Sequence, residues 1–250
     1  SALPNGESQI LSHHLLKSNK LIDLAADFRL MDPNDYKKWY KINHKAKKNI
    51  SKSIYALPEI NKKKLKNYKI IACPGCYPTS ILLPLIPLLK NKLISNNNII
   101  IDSKSGYSGA GKNFDLKNLF DNDYINFYNY KTNNHRHICE INQELFKINN
   151  SKVFFSFNPH ILPIFRGLMS TIYCDLNFGI THEQIIECLN NYYSNFKFIN
   201  IINDSHVDFF MVQNTNKCLI KIKKHYDSSK IILVSLIDNL IKGASGQAIQ

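Results

Sequence analysis

Apolar and polar positions alternate along this chain in two textures. Up to about residue 97, compact apolar runs exchange with amphipathic stretches. Residues 7–17 have apolar spacing suited to a short helix, and residues 20–24 suit a buried strand. Asp32 followed by Pro33 reads as a helix start, the acid as cap and the proline in the first turn. Tyr36, Trp39 and Tyr40 would ride on that helix. Residues 68–73 predict a further strand, and the apolar run 80–89 predicts a helix opening at Cys76. Strand–helix alternation of this kind predicts parallel βαβ architecture.

Beyond residue 97 strands dominate. Residues 98–102, 124–130, 152–157, 167–176, 196–202, 217–223 and 230–236 all read as strands, several with period-two alternation. Thr181 and Gln184 form a capping box that starts a helix reaching to about Tyr193. Residues 238–250 read as a loop and helix. The whole is α/β: the remainder of a Rossmann-type parallel-sheet domain, then an α+β domain with a mostly antiparallel sheet and helices on one face.

Composition changes the picture at two points. The net charge of +13 raises nucleic acid as a partner, yet Lys62-Lys63-Lys64 is the longest basic run. No aromatic-interleaved basic patch or zinc-finger spacing accompanies it. The lysines run with Asn and Ile, as A+T-rich codon usage would produce. The sharper point is that only Arg29, Arg136 and Arg166 among 32 basic side chains are arginine. Such an arginine stands where a carboxylate or phosphate needs a planar fork, with a structural ion pair or chance survival as the alternatives. No apolar run is long enough for a membrane span, no signal-peptide pattern opens the chain, and the expected location is cytoplasmic. The six cysteines suggest no disulfide framework.

The densest chemistry lies in Pro74-Gly75-Cys76-Tyr77-Pro78-Thr79. A thiol at a strand-to-helix junction faces unpaired helix N–H groups, which favour thiolate and so a nucleophile. Cys73 and Cys76 form a C-x-x-C pair, either redox or half a zinc site, or Cys73 is a small buried residue at a strand end, the preferred reading. Residues 105–112 hold three of the nine glycines and two serines, a loop whose N–H and hydroxyl groups suit a phosphate or acyl group, or else an ordinary turn. His135-Arg136-His137-Ile138-Cys139-Glu140 brings two bases, a guanidinium and a carboxylate together, as thiol chemistry requires, unless these are surface histidines. In an extended segment, His135 and His137 would point to opposite faces. Residues 159–167 read as a proline-framed loop aiming Arg166 at an anion, with a structural salt bridge as the alternative. His160, within it, remains open. No glycine-rich turn of the dinucleotide-binding type follows an early strand.

Taken together, these segments resemble the N-acetyl-gamma-glutamyl-phosphate reductase family. The resemblance rests on Ala2-Leu3-Pro4-Asn5-Gly6, residues 21–30, Pro74 to Thr79, residues 105–111, 135–140 and 159–167, and residues 238–248, in family order. Cys73 and Cys139 depart from it, standing where asparagine and proline are usual. The resemblance implies Cys76 as nucleophile, His135 as acid/base and Glu140 as the carboxylate orienting it. It implies Arg166, Arg136, Arg29 and His137 as substrate contacts. Ser105, Gly106, Ser108, Gly109 and Asn239 would contact the cofactor NADP(H), and no metal is implied.

The implied reaction is NADPH-dependent reduction of an acyl phosphate through a cysteine thioester, in a homo-oligomeric enzyme, dimer or tetramer. Residues 1–75 would be a partial NADP-binding domain, 76–228 the catalytic and dimerisation domain, and 229–250 a segment returning toward the first. The family's glycine-rich turn precedes the Ala2 segment, so the chain reads as an incomplete sequence or a decayed gene product. A relative of the aspartate-semialdehyde dehydrogenase type, a non-enzymatic remnant and a nucleic-acid binder are the alternatives.

Overall fold

The computed structural model describes residues 1–111, 113–203 and 206–250. Its contacts divide the chain into two units, residues 1–75 with 244–250, and residues 76–243.

In the first unit the elements are α1 (Glu7–Leu15), β1 (Leu21–Asp23), α2 (Pro33–Tyr40), α3 (Lys47–Ile50), β2 (Ser53–Tyr55), α4 (Pro58–Leu65) and β3 (Ile70–Ala72). The strands form an all-parallel sheet in the order β1-β3-β2. Asp32 caps α2 by accepting from the Asn34 amide, and Pro33 occupies its first turn, where a missing N–H costs nothing. Leu21, Phe28, Ala46, Ile70 and Ala72 close the core. The N-terminus of α1 is completed from within. The buried Asp27 carboxylate accepts from the Gly6 amide at 2.7 Å and the Gln9 amide at 3.3 Å, the place a phosphate takes in a dinucleotide-binding turn. The side chains of Gln9 and Tyr36 donate to it as well.

The second unit begins with α5 (Cys76–Lys90) and continues through β4 (Ile99–Gly106), β5 (Phe120–Asp121), β6 (Tyr124–Ile125), β7 (Tyr128–Asn129), α6 (His137–Asn149), β8 (Phe155–Leu162), β9 (Leu168–Asp175), α7 (His182–Tyr193), β10 (Ile199–Ile202), β11 (Cys218–Lys224) and β12 (Lys230–Ile237). Seven strands make one sheet in the order β10-β11-β12-β9-β4-β8-β7. The pairs β10–β11 and β4–β8 are parallel, and the other four are antiparallel. The capping box of Thr181 and Gln184 is formed at the start of α7. A final short helix, α8 (Gly246–Ile249), belongs to the first unit, where Gln250 donates to Glu59 at 2.8 Å.

Helix α5 is buried from Tyr77 to Leu89, as a helix apolar on every side must be. It carries Pro84 and Pro87, which delete two ladder bonds. The carbonyl that Pro87 leaves unpaired, that of Leu83, accepts instead from the Tyr193 hydroxyl at 2.5 Å. Three buried hydroxyls register α5 on the sheet. Ser80 meets Ser170 at 2.7 Å, and Ser170 meets Ser103 at 2.7 Å.

Several elements differ from the sequence reading. Residues 135–140 are not extended, because α6 starts at His137. Strand β8 runs through Pro159 to Leu162, so most of the expected proline-framed loop is strand. The expected strand 124–130 is broken into β6 and β7, and α3, β2 and α4 carry no clear signal. The cut after Gly243 falls later than residue 228, because β12 is an interior strand of the large sheet. Among the described residues, no helix is long and apolar enough to cross a membrane.

Candidate active site

Cys76 is the first residue of α5, half-buried, at the end where helix amides lack intrahelical partners. Pro78 sits in the same turn, where its missing N–H removes no bond. Gly243 packs directly against the nucleophile candidate. A Cβ on Gly243 would lie 2.6 Å from the Cys76 Cβ, so no side chain fits. The turn that brings it there is tied by the Gly243 amide donating to the Asp238 carbonyl at 2.9 Å.

Tyr77, next in the chain, leads from the thiol to the histidines. Its ring meets His135 edge-on at 5.4 Å and His137 at 5.9 Å. His135 is buried, and its Nδ1 accepts from the His137 amide at 3.1 Å. That bond needs a lone pair on Nδ1, which places the proton of the neutral ring on Nε2. The Nε2 atom lies 3.4 Å from the Tyr130 hydroxyl. Tyr130 in turn donates to Tyr77 at 3.4 Å, and Tyr77 to the His160 carbonyl at 3.3 Å. The chain of bonds from the His137 amide to the His160 carbonyl thus runs in one direction. Burial first, then the cationic side of His137, Arg136 and Lys131, pushes His135 down to about 2. Burial likewise pushes Tyr130 up to about 12, and Cys76 is felt at both Tyr130 and Tyr77. The site therefore holds a neutral imidazole presenting an N–H, beside neutral phenols.

Glu140 does not orient His135 as expected. Both ring nitrogens of His135 are engaged elsewhere, and the buried Glu140 carboxylate lies 3.9 Å from His137 Nε2, one helical turn away. The two histidine rings do not face apart either. They stand 4.6 Å from each other, because His137 opens a helix. Exposed Arg136 occupies the N-cap position of α6.

The loop at 105–111 serves a purpose other than an N–H cradle. The amides of Gly106, Tyr107 and Ser108 donate to the carbonyls of Gly167, Ile164 and Phe165 at 2.8, 2.9 and 3.1 Å. A Cβ on Gly106 would meet two of those carbonyl oxygens at 2.7 Å. Gly106 is glycine because two backbones approach closely, whereas Gly111 has a left-handed φ of 98° with open space around it. Asn239 clamps the same contact, accepting from the Gly167 amide at 2.8 Å and donating to Ser108 at 2.9 Å. Ser105 is buried and donates to the Gly106 carbonyl, while Gly109 is exposed. Lys112, the end of the loop as read from sequence, lies outside the described residues.

Arg166 sits in an ion pair. Its Nη1 contacts Asn214 and lies 3.5 Å from the fully buried Asp238 carboxylate. Arg29 lies in the first unit, buried, donating to the Leu24 carbonyl at 2.7 Å. Sequence reasoning passed over Tyr77, Tyr130, Asp238 and Gly243 as functional residues. Adjacency to Cys76 was a usable signal for Tyr77 alone.

A thiol at the head of a buried helix thus shares one unit with a neutral histidine on a helix-backed mixed sheet. The family described as semialdehyde dehydrogenase, dimerisation domain, matches residues 76–239. The fold is similar to that of aspartate semialdehyde dehydrogenase II from Vibrio cholerae, at TM-score 0.71 and 19% identity, covering 98% of this chain and 75% of that one. The N-acetyl-gamma-glutamyl-phosphate reductase of Clostridium botulinum is 44% identical over 100% of this chain and 73% of its own length. That of Caldicellulosiruptor bescii is 45% identical over the same shares. The chain belongs to the N-acetyl-gamma-glutamyl-phosphate reductase family.

Proposed function

We propose that the chain reduces N-acetyl-L-glutamyl 5-phosphate to the 5-semialdehyde, with release of phosphate, in arginine biosynthesis. The observation that carries this reading is Cys76 at the head of α5, joined through Tyr77 and Tyr130 to a neutral His135. The Cys76 thiolate attacks the acyl carbon. The S–C bond forms, the C–O bond to phosphate breaks, and phosphate leaves with the electron pair. With substrate bound, His135 Nε2–H exchanges its long 3.4 Å contact with Tyr130 for the acyl oxygen as that oxygen gains negative charge, in the manner of an oxyanion donor. NADPH, when bound, supplies the hydride that reduces the thioester. The aldehyde then leaves as the C–S bond breaks, and Cys76 returns as thiolate.

The residues of the 105–111 loop suit the uncharged nicotinamide end better than a phosphate. Its first amides are spent, but Ser108 keeps a hydroxyl hydrogen because its oxygen accepts from Asn239, and Gly109 is exposed. Ser108 and Gly109 would hold the carboxamide, with Ser105, Gly106 and Asn239 supporting them. Arg166 and Arg136 are the anion contacts of the substrate, and the His137 amide fixes the His135 ring, with Glu140 beside the His137 imidazole. Arg29 acts within its own unit.

The experiment is a cofactor-free burst assay, one phosphate released per thiol on mixing with the acyl phosphate. Cys76→Ser should abolish the burst, and β-aspartyl phosphate should give little. A larger burst with β-aspartyl phosphate would assign the chain to the sibling reaction, and a burst in Cys76→Ser would remove Cys76 as nucleophile.

A further inference from the structure

Asp238 is a fully buried carboxylate between the last strand and the turn that follows it, with partners on both oxygens. Its Oδ1 accepts from the amides of Leu240 at 2.8 Å and Ile241 at 3.1 Å, which closes the turn over residues 239–243. Its Oδ2 accepts from the Asn214 amide at 2.7 Å and lies 3.5 Å from Arg166. Its own carbonyl holds the Gly243 amide, and Gly243 presses on Cys76 with no room for a Cβ. One buried side chain therefore reaches the guanidinium through one oxygen and, through the other, closes the turn whose last residue, Gly243, backs the thiol.

We propose that Asp238 is a positioning residue that fixes the span between Arg166, which holds an anionic group of the substrate, and Cys76, which attacks its acyl carbon. The proposal rests on the reading of Cys76 as nucleophile and Arg166 as anion anchor. A carboxylate suits the place because Oδ1 accepts two amides while Oδ2 accepts the Asn214 amide and carries the charge that faces Arg166. An amide replaces one oxygen with a donor. Asp238→Asn keeps an acceptor toward Leu240 and Ile241, so the turn persists, while Arg166 and the Asn214 amide lose theirs. Asp238→Ala loses both sides.

The span predicts a separable pattern that bulk stabilisation does not. In the cofactor-free burst assay, Asp238→Asn should raise the half-saturating acyl phosphate concentration about tenfold, and Arg166→Lys should add little on top of it, since coupled residues are not additive. Iodoacetamide should alkylate Cys76 in Asp238→Asn at the wild-type rate. In Asp238→Ala the same rate should change by about tenfold, as displacement by an ångström can produce. Thermal melts confirm that each variant is folded. Additive effects of Asp238→Asn and Arg166→Lys, or an unchanged alkylation rate in folded Asp238→Ala, would overturn the proposal. If wild-type protein gives no burst, the thioester reading fails instead, and the Asp238→Ala alkylation rate still decides whether this carboxylate sets the position of the thiol.

Discussion

Burial holds the His135 ring uncharged, because the imidazolium would be stripped of its water. With Nδ1 committed to the His137 amide, the ring has only Nε2–H to offer, so the part proposed for it is donation to a developing oxyanion. His135→Asn should slow the acylation burst by about two to four orders of magnitude. Between about pH 5 and 8, the wild-type burst should show no limb from His135, whose ionisation lies far below that range. Stability should respond in the same direction. The unfolded ring takes up a proton near its ordinary value of 6.5 and the folded ring only at about 2, so stability is full above that ordinary value and is lost as pH falls through the interval. Urea unfolding across that interval checks it, and a His135→Phe variant with the same acid slope as wild type would refute it. The place of Cys76 at the head of a helix was legible in sequence because thiol, turn and helix start are adjacent. The partner of His135 was not, since Tyr130 and the helical register of His137 depend on how the chain folds.

At the scale of elements, α5 and α6 show what pattern reading catches and what it loses. Helix α5 was visible as an unbroken apolar run. Helix α6 was not, because its N-cap residue Arg136 makes no side-chain cap bond. The imidazole of His135, one residue earlier, accepts the first amide instead, a cap that the usual Ser, Thr, Asp and Asn signals do not announce. The glycines of the loop at 105–111 admit two readings for a related reason, since close packing of two backbones and a ligand cradle both demand glycine. The prolines of α5 carry a measurable cost. Tyr193→Phe removes the hydroxyl that satisfies the Leu83 carbonyl, and an unpaired buried acceptor should destabilise the fold by about 1–3 kcal/mol. Chemical denaturation measures this. A loss near zero would show that the carbonyl finds another donor.

Across the whole molecule, the seven-stranded sheet buries the face that carries Ile99, Ile101 and Ser103 and leaves Ile100 and Tyr173 exposed on the other, paired across β4 and β9. The family match to a dimerisation domain covers this sheet. Ile100→Lys with Tyr173→Lys should shift sedimentation toward the monomer, whereas an unchanged oligomer would place the contact elsewhere. Alternation made most of these strands legible, while the mixed order of the sheet, with β4 and β8 parallel inside it, was not, because pairing partners far apart leave no local trace. The three hydroxyls of Ser80, Ser170 and Ser103 have a consequence for descent. Ser170 is the shared partner, so Ser170→Ala leaves the buried Ser103 hydroxyl without it, while Ser80 keeps the Tyr77 carbonyl at 3.0 Å; replacing all three removes donors and acceptors together. Ser170 and Ser103 are therefore inherited together or lost together. A lineage that drops Ser170 by chance carries a buried, unmatched hydroxyl beneath the helix that opens at Cys76 before it can reach the apolar alternative.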